Sequence, residues 1–403
     1  MNILYISYDG MTDPLGQSQV LPYLSGLSQK GYKITLISCE KPERLIHKEA
    51  IQAICSKYHI NWQPLVYTRK PPILSTMKDV RRMKKLAMSL HKKIAFDIVH
   101  CRSYIAALVG VYLKQKTGVP FIFDMRGFWA NERVDGGLWR LSNPVYRRVF
   151  NYFKNKEKVF LEESAAIVSL TYTAKEEIEH WPVSSSPVTV IPCCVDTELF
   201  NPEHLNREQL EALKRKADLP ANTLVLGYVG SLGTWYLLSE MLGFFKVWLK
   251  QHPASVFFFV TAEPKEMVMD EAESLGISTD KIKVISAGRH EVPYYISMMD
   301  LGIFFIKNAY SKKASSPVKQ GEMMAMGVPV FCNAGVGDSD YIIQKYRSGE
   351  LVYTFNAAAY SDAIRRMKEE MNHPEQIRAG AMDYFDLGAG VEAYAALYDS
   401  LKR

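Results

Sequence analysis

Short apolar runs rich in β-branched residues alternate with longer stretches of helical hydrophobic period along the whole chain. In the first half the runs cover residues 3–8, 34–39, 60–67, 97–101, 120–125 and 166–170, with 188–192 as a candidate seventh. The pattern restarts at 224–230 and continues through 256–261, 282–286, 301–306, 328–332 and 351–353. Strands that alternate with helices pair in parallel, so two such series predict two doubly wound, Rossmann-like α/β domains. We place them at 1–195 and 196–385, around a polar stretch at 201–222. A last helical stretch at 386–403 is expected to return to the first domain. Ligands of such sheets sit at the carboxyl ends of the strands, here expected in a cleft between the domains.

Composition changes this picture little. With 403 residues, 48% hydrophobic and 23% charged, the chain has the balance of a globular protein with two cores. A net charge of +6 is mild for this size and does not call for nucleic acid. The six cysteines form no C-x-x-C pair and no metal-ligand spacing, which fits reduced thiols in the cytoplasm. The start reads as a strand and not as a leader, and no apolar run approaches the length of a membrane span.

One segment breaks the even charge. Residues 69–93 hold nine Lys/Arg against one Asp, interleaved with Ile73, Leu74, Met77, Val80, Met83, Leu86 and Met88. This is a basic amphipathic helix. It reads either as a solvated face over a core stripe or as a contact for an anionic membrane surface. The segment from Phe150 to Lys156 adds a second aromatic and basic cluster with the same two readings.

The most informative stretch is Lys312-Lys-Ala-Ser-Ser-Pro-Val-Lys-Gln-Gly-Glu-Met-Met-Ala-Met-Gly-Val-Pro-Val330. Pro317 suits the first turn of a helix, Ser315 and Ser316 are cap candidates, and Gly327 suits its end. The free N–H groups and positive end of a helix favour an anion such as a diphosphate. Glu322, five residues in, is placed to accept hydrogen bonds from ribose hydroxyls. Elsewhere, Asp9-Gly-Met-Thr-Asp-Pro-Leu-Gly16 follows the first strand and matches neither G-x-G-x-x-G nor the P-loop. Polar groups end two strands of the first half, in the segments Phe96–Tyr104 and Phe123–Arg133. His100 reads as a hydrogen-bonded, partly buried histidine. Asp338-Ser-Asp340 has the D-x-D form of some metal sites, but at a helix start it reads as capping.

Ser-Pro-x-Lys-x-x-Glu-x-x-Ala-x-Gly-x-Pro-Val resembles the donor signature of the family 4 (group 1) retaining glycosyltransferases of the GT-B fold, in the group that builds bacterial polysaccharides. The segment from Asp124 through Trp139 is similar to the acceptor side of the same group. The resemblance implies that Glu322 holds the nucleotide's ribose, while Ala314 stands where many members carry a first glutamate. It implies that Gly16, Gln17 and Ser18 face the diphosphate and the acceptor, and that Arg102, Asp124, Arg126 and Glu132 line the acceptor side. Gly230 and Ser231 occupy the donor-domain loop, with Ser231 at the family's arginine position. Lys307 and Lys319 are then the cations left for the diphosphate, and Arg289 lies near base or phosphate.

The implied activity is transfer of a sugar, with retention, from a UDP- or GDP-sugar to a glycan or lipid-linked acceptor in cell-surface polysaccharide synthesis. It needs no metal and no cofactor besides the donor. Helix N-termini at 18–19 and 316–317, with Lys307 and Lys319, would stabilise the departing diphosphate. The implied location is cytoplasmic, at the inner face of the plasma membrane. A nucleotide-sugar epimerase on the same fold and a non-catalytic, nucleotide-binding partner of a transferase complex are the alternatives.

Overall fold

The computed structural model describes residues 1–183, 186–220, 222–370 and 373–402. The chain forms two compact units, residues 1–193 with 387–402 and residues 194–386. The first contains seven strands: β1 (Asn2–Ser7), β2 (Lys33–Glu40), β3 (Asn61–Val66), β4 (Ile98–Arg102), β5 (Phe121–Asp124), β6 (Ala166–Ser169) and β7 (Val188–Val190). They lie parallel in the order β3-β2-β1-β4-β5-β6-β7. The order reverses direction between β1 and β4, the position outside whose strand ends sheets of this kind bind ligands. Every residue of β4 and β5 is buried, as expected for central strands covered by helices on both faces.

The second unit repeats the plan with β8 (Val225–Val229), β9 (Val256–Val260), β10 (Ile282–Ile285), β11 (Leu301–Phe304), β12 (Val330–Asn333) and β13 (Gly349–Val352). Its parallel order is β10-β9-β8-β11-β12-β13, with the reversal between β8 and β11. Phe257, Phe258 and Phe259 of β9, all fully buried, anchor an aromatic core with Phe244, Phe245 and Phe331. Where the chain enters and leaves this unit, the Val195 N–H donates to the Phe385 carbonyl at 2.7 Å.

Two helix starts differ from the expected ones. The helix after β1 begins at Pro14 and runs to Gln19, so residues 18–19 lie in its last turn. The Ser18 hydroxyl donates back to the Pro14 carbonyl at 2.9 Å. Proline favours the first helical position, because its missing N–H has no partner to lose there. In the second unit the helix is Val318–Ala325, with Pro317 at the cap position and no capping side chain.

The terminal helix Leu387–Ser400 packs on the helix Leu21–Gln29 of the first unit. Gly26 makes this approach possible, since a Cβ there would sit 2.8 Å from Val391. The Tyr32 hydroxyl donates to the Ala395 carbonyl at 3.1 Å, and Lys30 pairs with Glu392 at 2.5 Å.

Candidate functional site

In the first unit, the loop after β1 is shaped by a carboxylate that no motif marks. Glu40, at the end of β2, is buried and accepts the N–H groups of Met11 and Thr12, both at 2.9 Å, and the Thr12 hydroxyl at 2.6 Å. Glycine is required at two points of this loop. A Cβ on Gly16 would collide with the Gly10 carbonyl, and one on Gly10 would stand 2.7 Å from Glu40. Gln17 donates to the Thr12 carbonyl at 3.2 Å and so turns back on the same loop. Gly16 and Gln17 therefore have evident packing roles.

The acceptor candidates separate into two groups. Arg102 ends β4 and pairs with Asp9 at the end of β1, across the reversal of strand order. Arg102 is buried, whereas Asp9 is partly exposed. Arg126 takes a left-handed backbone, with φ 55°, just after β5 and is followed by Gly127, with φ 118°. This sharp turn leads to the helix Trp129–Asp135, which carries the half-buried Glu132.

Asp124 faces the other way. Its side chain is buried, Arg126 lies 3.9 Å from Oδ1, and the Tyr394 hydroxyl donates to Oδ2 at 3.0 Å. His100 Nε2 lies 3.3 Å from the same oxygen, and His100 Nδ1 lies 2.7 Å from the Tyr398 hydroxyl. A neutral imidazole with its proton on Nε2 satisfies both contacts. Burial lowers the pKa of His100 despite its carboxylate partner. Asp124 is kept ionised against its own burial, first by Arg126 and then by the hydrogen bond from His100. Sequence placed His100 and Asp124 at neighbouring strand ends. The geometry joins both to the terminal helix.

In the second unit, the helix Val318–Ala325 follows a short 3-10 turn and starts beside the end of β8. Lys319 is buried in its first turn. Its Nζ donates to the Tyr228 hydroxyl at 2.7 Å and sits 3.9 Å and 3.4 Å above the rings of Tyr228 and Tyr236. No ion pair is formed by Lys319 among the described residues, and burial holds its pKa well below the ordinary lysine value. Gly230 leaves room for the ammonium, since a Cβ there would lie 3.3 Å from Nζ. Ser231 is exposed, and its carbonyl accepts the Tyr228 hydroxyl.

One helical turn on, the buried Glu322 pairs with Arg289, which is itself stacked 4.7 Å above the ring of Phe200. Glu322 and Arg289 thus act as one unit. Lys307 is exposed just past β11, and its N–H donates to the Trp235 carbonyl at 2.9 Å. Ser315 and Ser316 are half-buried before the helix. Lys312, absent from the sequence-based candidates, is buried with its Nζ 3.6 Å above the ring of Trp235. Adjacent aromatics at 235 and 236, close after Gly230, were the readable signal for these ring–lysine contacts.

Asp338 and Asp340 do not converge. Asp338 sits at the cap position of the helix Ser339–Tyr346 without a capping bond, and it accepts the Tyr384 hydroxyl at 2.7 Å. Asp340 accepts the Gly335 N–H at 3.0 Å.

The family model for Glycosyltransferase Family 4 matches residues 18–199, and that for Glycosyl transferases group 1 matches residues 209–383. The chain belongs to the family 4 glycosyltransferases. This transferase is 21% identical over 307 residues to a D-inositol 3-phosphate glycosyltransferase from Thermomonospora curvata, covering 73% of the chain and 69% of the relative. Its fold is similar to that of a sucrose-phosphate synthase from Thermosynechococcus elongatus, with TM-score 0.73, 15% identity and coverage of 99% and 98%. It is also similar to HepE from Anabaena, solved in complex with UDP and glucose, with TM-score 0.69, 14% identity and coverage of 99% of each chain. Among the described residues, no helix of the transferase is long and apolar enough to cross a membrane.

Proposed function

We propose that this transferase moves a hexose, with retention of configuration, from a UDP- or GDP-sugar to a glycan or lipid-linked acceptor in cell-surface polysaccharide synthesis. One observation carries the reading. The helix Val318–Ala325 brings together a buried lysine, Lys319, beside Gly230, and a buried Glu322 that pairs with the partly exposed Arg289. A lysine without a carboxylate partner is suited to a phosphate, and a carboxylate is suited to two ribose hydroxyls. The nucleotide in the HepE structure supports the choice of donor class.

In the reaction, the bond from the anomeric carbon to the diphosphate oxygen breaks as the acceptor oxygen bonds to the same face of that carbon. The acceptor proton passes to the departing phosphate. The protein's part is positioning and stabilising the charge that develops on the diphosphate, for which Lys319 is placed. We assign no metal to this chemistry, because Asp338 and Asp340 are each engaged by other groups. We place the enzyme in the cytoplasm at the inner face of the plasma membrane, with the basic helix Leu74–Ile94 toward anionic lipid.

The test is nucleotide release from UDP- and GDP-sugars, with and without glycolipid acceptors, in the presence and absence of a chelator. Release that depends on acceptor and persists in chelator is the expected result. Loss of turnover in chelator with recovery in magnesium or manganese overturns metal independence. Sugar isomerisation with donor alone would show the epimerase instead, and release from no donor would leave a nucleotide-binding partner.

A further inference from the structure

We infer that the docking surface for an anionic bilayer is a face of two helices, in which Pro144–Glu163 adds a second basic and apolar stripe to that of Leu74–Ile94. This rests on the membrane contact proposed above and extends it to a second element. Both helices pack against the helix Ser103–Thr117. Lys84 lies 5.1 Å above the ring of Tyr112 on that middle helix. It is also near enough to Lys156 of the second helix for the two charges to repel, and this adds to burial in lowering the pKa of Lys84.

Each stripe has helical spacing. On Pro144–Glu163, Val145, Arg148 and Tyr152 are exposed and Lys156 is half-exposed, at intervals of three or four residues. On Leu74–Ile94, Leu74, Met77, Arg81 and Lys85 are exposed at similar intervals. The apolar members are open to solvent, with Val145 52%, Tyr152 47% and Leu74 62% exposed. Among the described residues, no carboxylate forms an ion pair with Arg81, Lys84, Lys85, Arg147, Arg148 or Lys156. Unpaired like charges on adjoining helices raise the free energy of the protein alone and fit a polyanion.

The interleaved side chains decide which polyanion. Nucleic acid would use the charges but offers nothing to the exposed Val145, Leu74 and Met77 interleaved with them. A bilayer offers both, with anionic headgroups above and acyl chains below, and tyrosine favours the level between them.

The experiment is flotation of the full chain with phosphatidylcholine vesicles containing about one-third phosphatidylglycerol, at low salt. The parent is expected to float with these vesicles and not with pure phosphatidylcholine. Arg147→Glu with Arg148→Glu is expected to lower partitioning at least about 25-fold, since each basic residue at such a surface contributes about fivefold. Val145→Asp with Tyr152→Asp should also lower it, with the charge on Arg148 retained. Both pairs are exposed, so melting temperature and sugar transfer to a soluble acceptor should match the parent. Arg81→Glu with Lys85→Glu tests the first helix in the same assay. If only this last pair matters, membrane contact stands and the two-helix face is overturned. If the parent does not float, the membrane reading fails and the two-helix face fails with it.

Discussion

Asp124→Ala is expected to lower the melting temperature of the first unit by about 6–20 °C, a larger loss than from any other single change considered. The buried carboxylate accepts from Tyr394 and His100 and is the near counter-charge of the buried Arg126. Its removal leaves a guanidinium buried without its carboxylate and a hydroxyl without its acceptor. Breaking a buried pair in this way costs about 3–5 kcal/mol, at about 2–4 °C per kcal/mol for a unit of this size. The loss should appear first as undocking of Leu387–Ser400, because Tyr394 and Tyr398 are its contacts to the network. Cleavage by protease within residues 387–402 reads that undocking directly.

The same network sets the response to acid. His100 has a folded pKa below its ordinary value of about 6.5, so the unfolded chain binds more protons as pH falls through that value. Asp124 is also depressed, and its contribution is lost at lower pH by the same sign. Docking of the terminal helix should therefore be intact above about pH 6.5 and weaken progressively below it. His100→Gln should flatten the upper part of that profile. An Asp124→Ala protein that melts within about 2 °C of the parent but transfers no sugar would make Asp124 an acceptor-site residue and not a clamp.

This network also shows where sequence reasoning stops. All thirteen strands lie within a few residues of the runs that predict them, most clearly the central ones such as β5 and β9, because a parallel strand covered on both faces is mainly apolar and polar loops bound it on either side. Hydrophobic period reports which face of an element is buried, but not what it is buried against. Nothing local ties Asp124 to Tyr394, which are 270 residues apart. Lys319 shows a second limit. A lysine in a first helical turn reads as solvated, and its burial depends on Tyr228 and Tyr236, about ninety residues earlier in the chain. The helix start at Pro14, by contrast, is legible in Asp13-Pro14, since proline suits the first helical position.

Burial of Lys319 makes the donor site testable by opposed effects on stability and affinity. Lys319→Met fills the same space between two tyrosine rings without a charge to desolvate. The empty protein should melt at the same temperature or higher, as buried charges replaced by apolar side chains of similar volume often allow. Affinity for a nucleoside diphosphate should fall about 10- to 150-fold, the equivalent of one charged hydrogen bond of about 1.5–3 kcal/mol. The bare nucleoside should bind almost as before. Glu322→Gln should weaken nucleoside and nucleotide alike over a similar range, because it removes the charge proposed to hold the ribose and frees Arg289. At a pH above the depressed pKa of Lys319, the parent should take up a proton on binding the diphosphate, since a phosphate beside Nζ favours the ammonium that burial disfavours. Calorimetry in buffers of different ionisation enthalpy reads that proton, and it should be absent from Lys319→Met. The sign then requires parent affinity to fall as pH rises toward the ordinary lysine range, with no such fall in the variant. Equal weakening of nucleoside and diphosphate by Lys319→Met would remove the lysine from the phosphate site and leave Lys307 as the cation to examine.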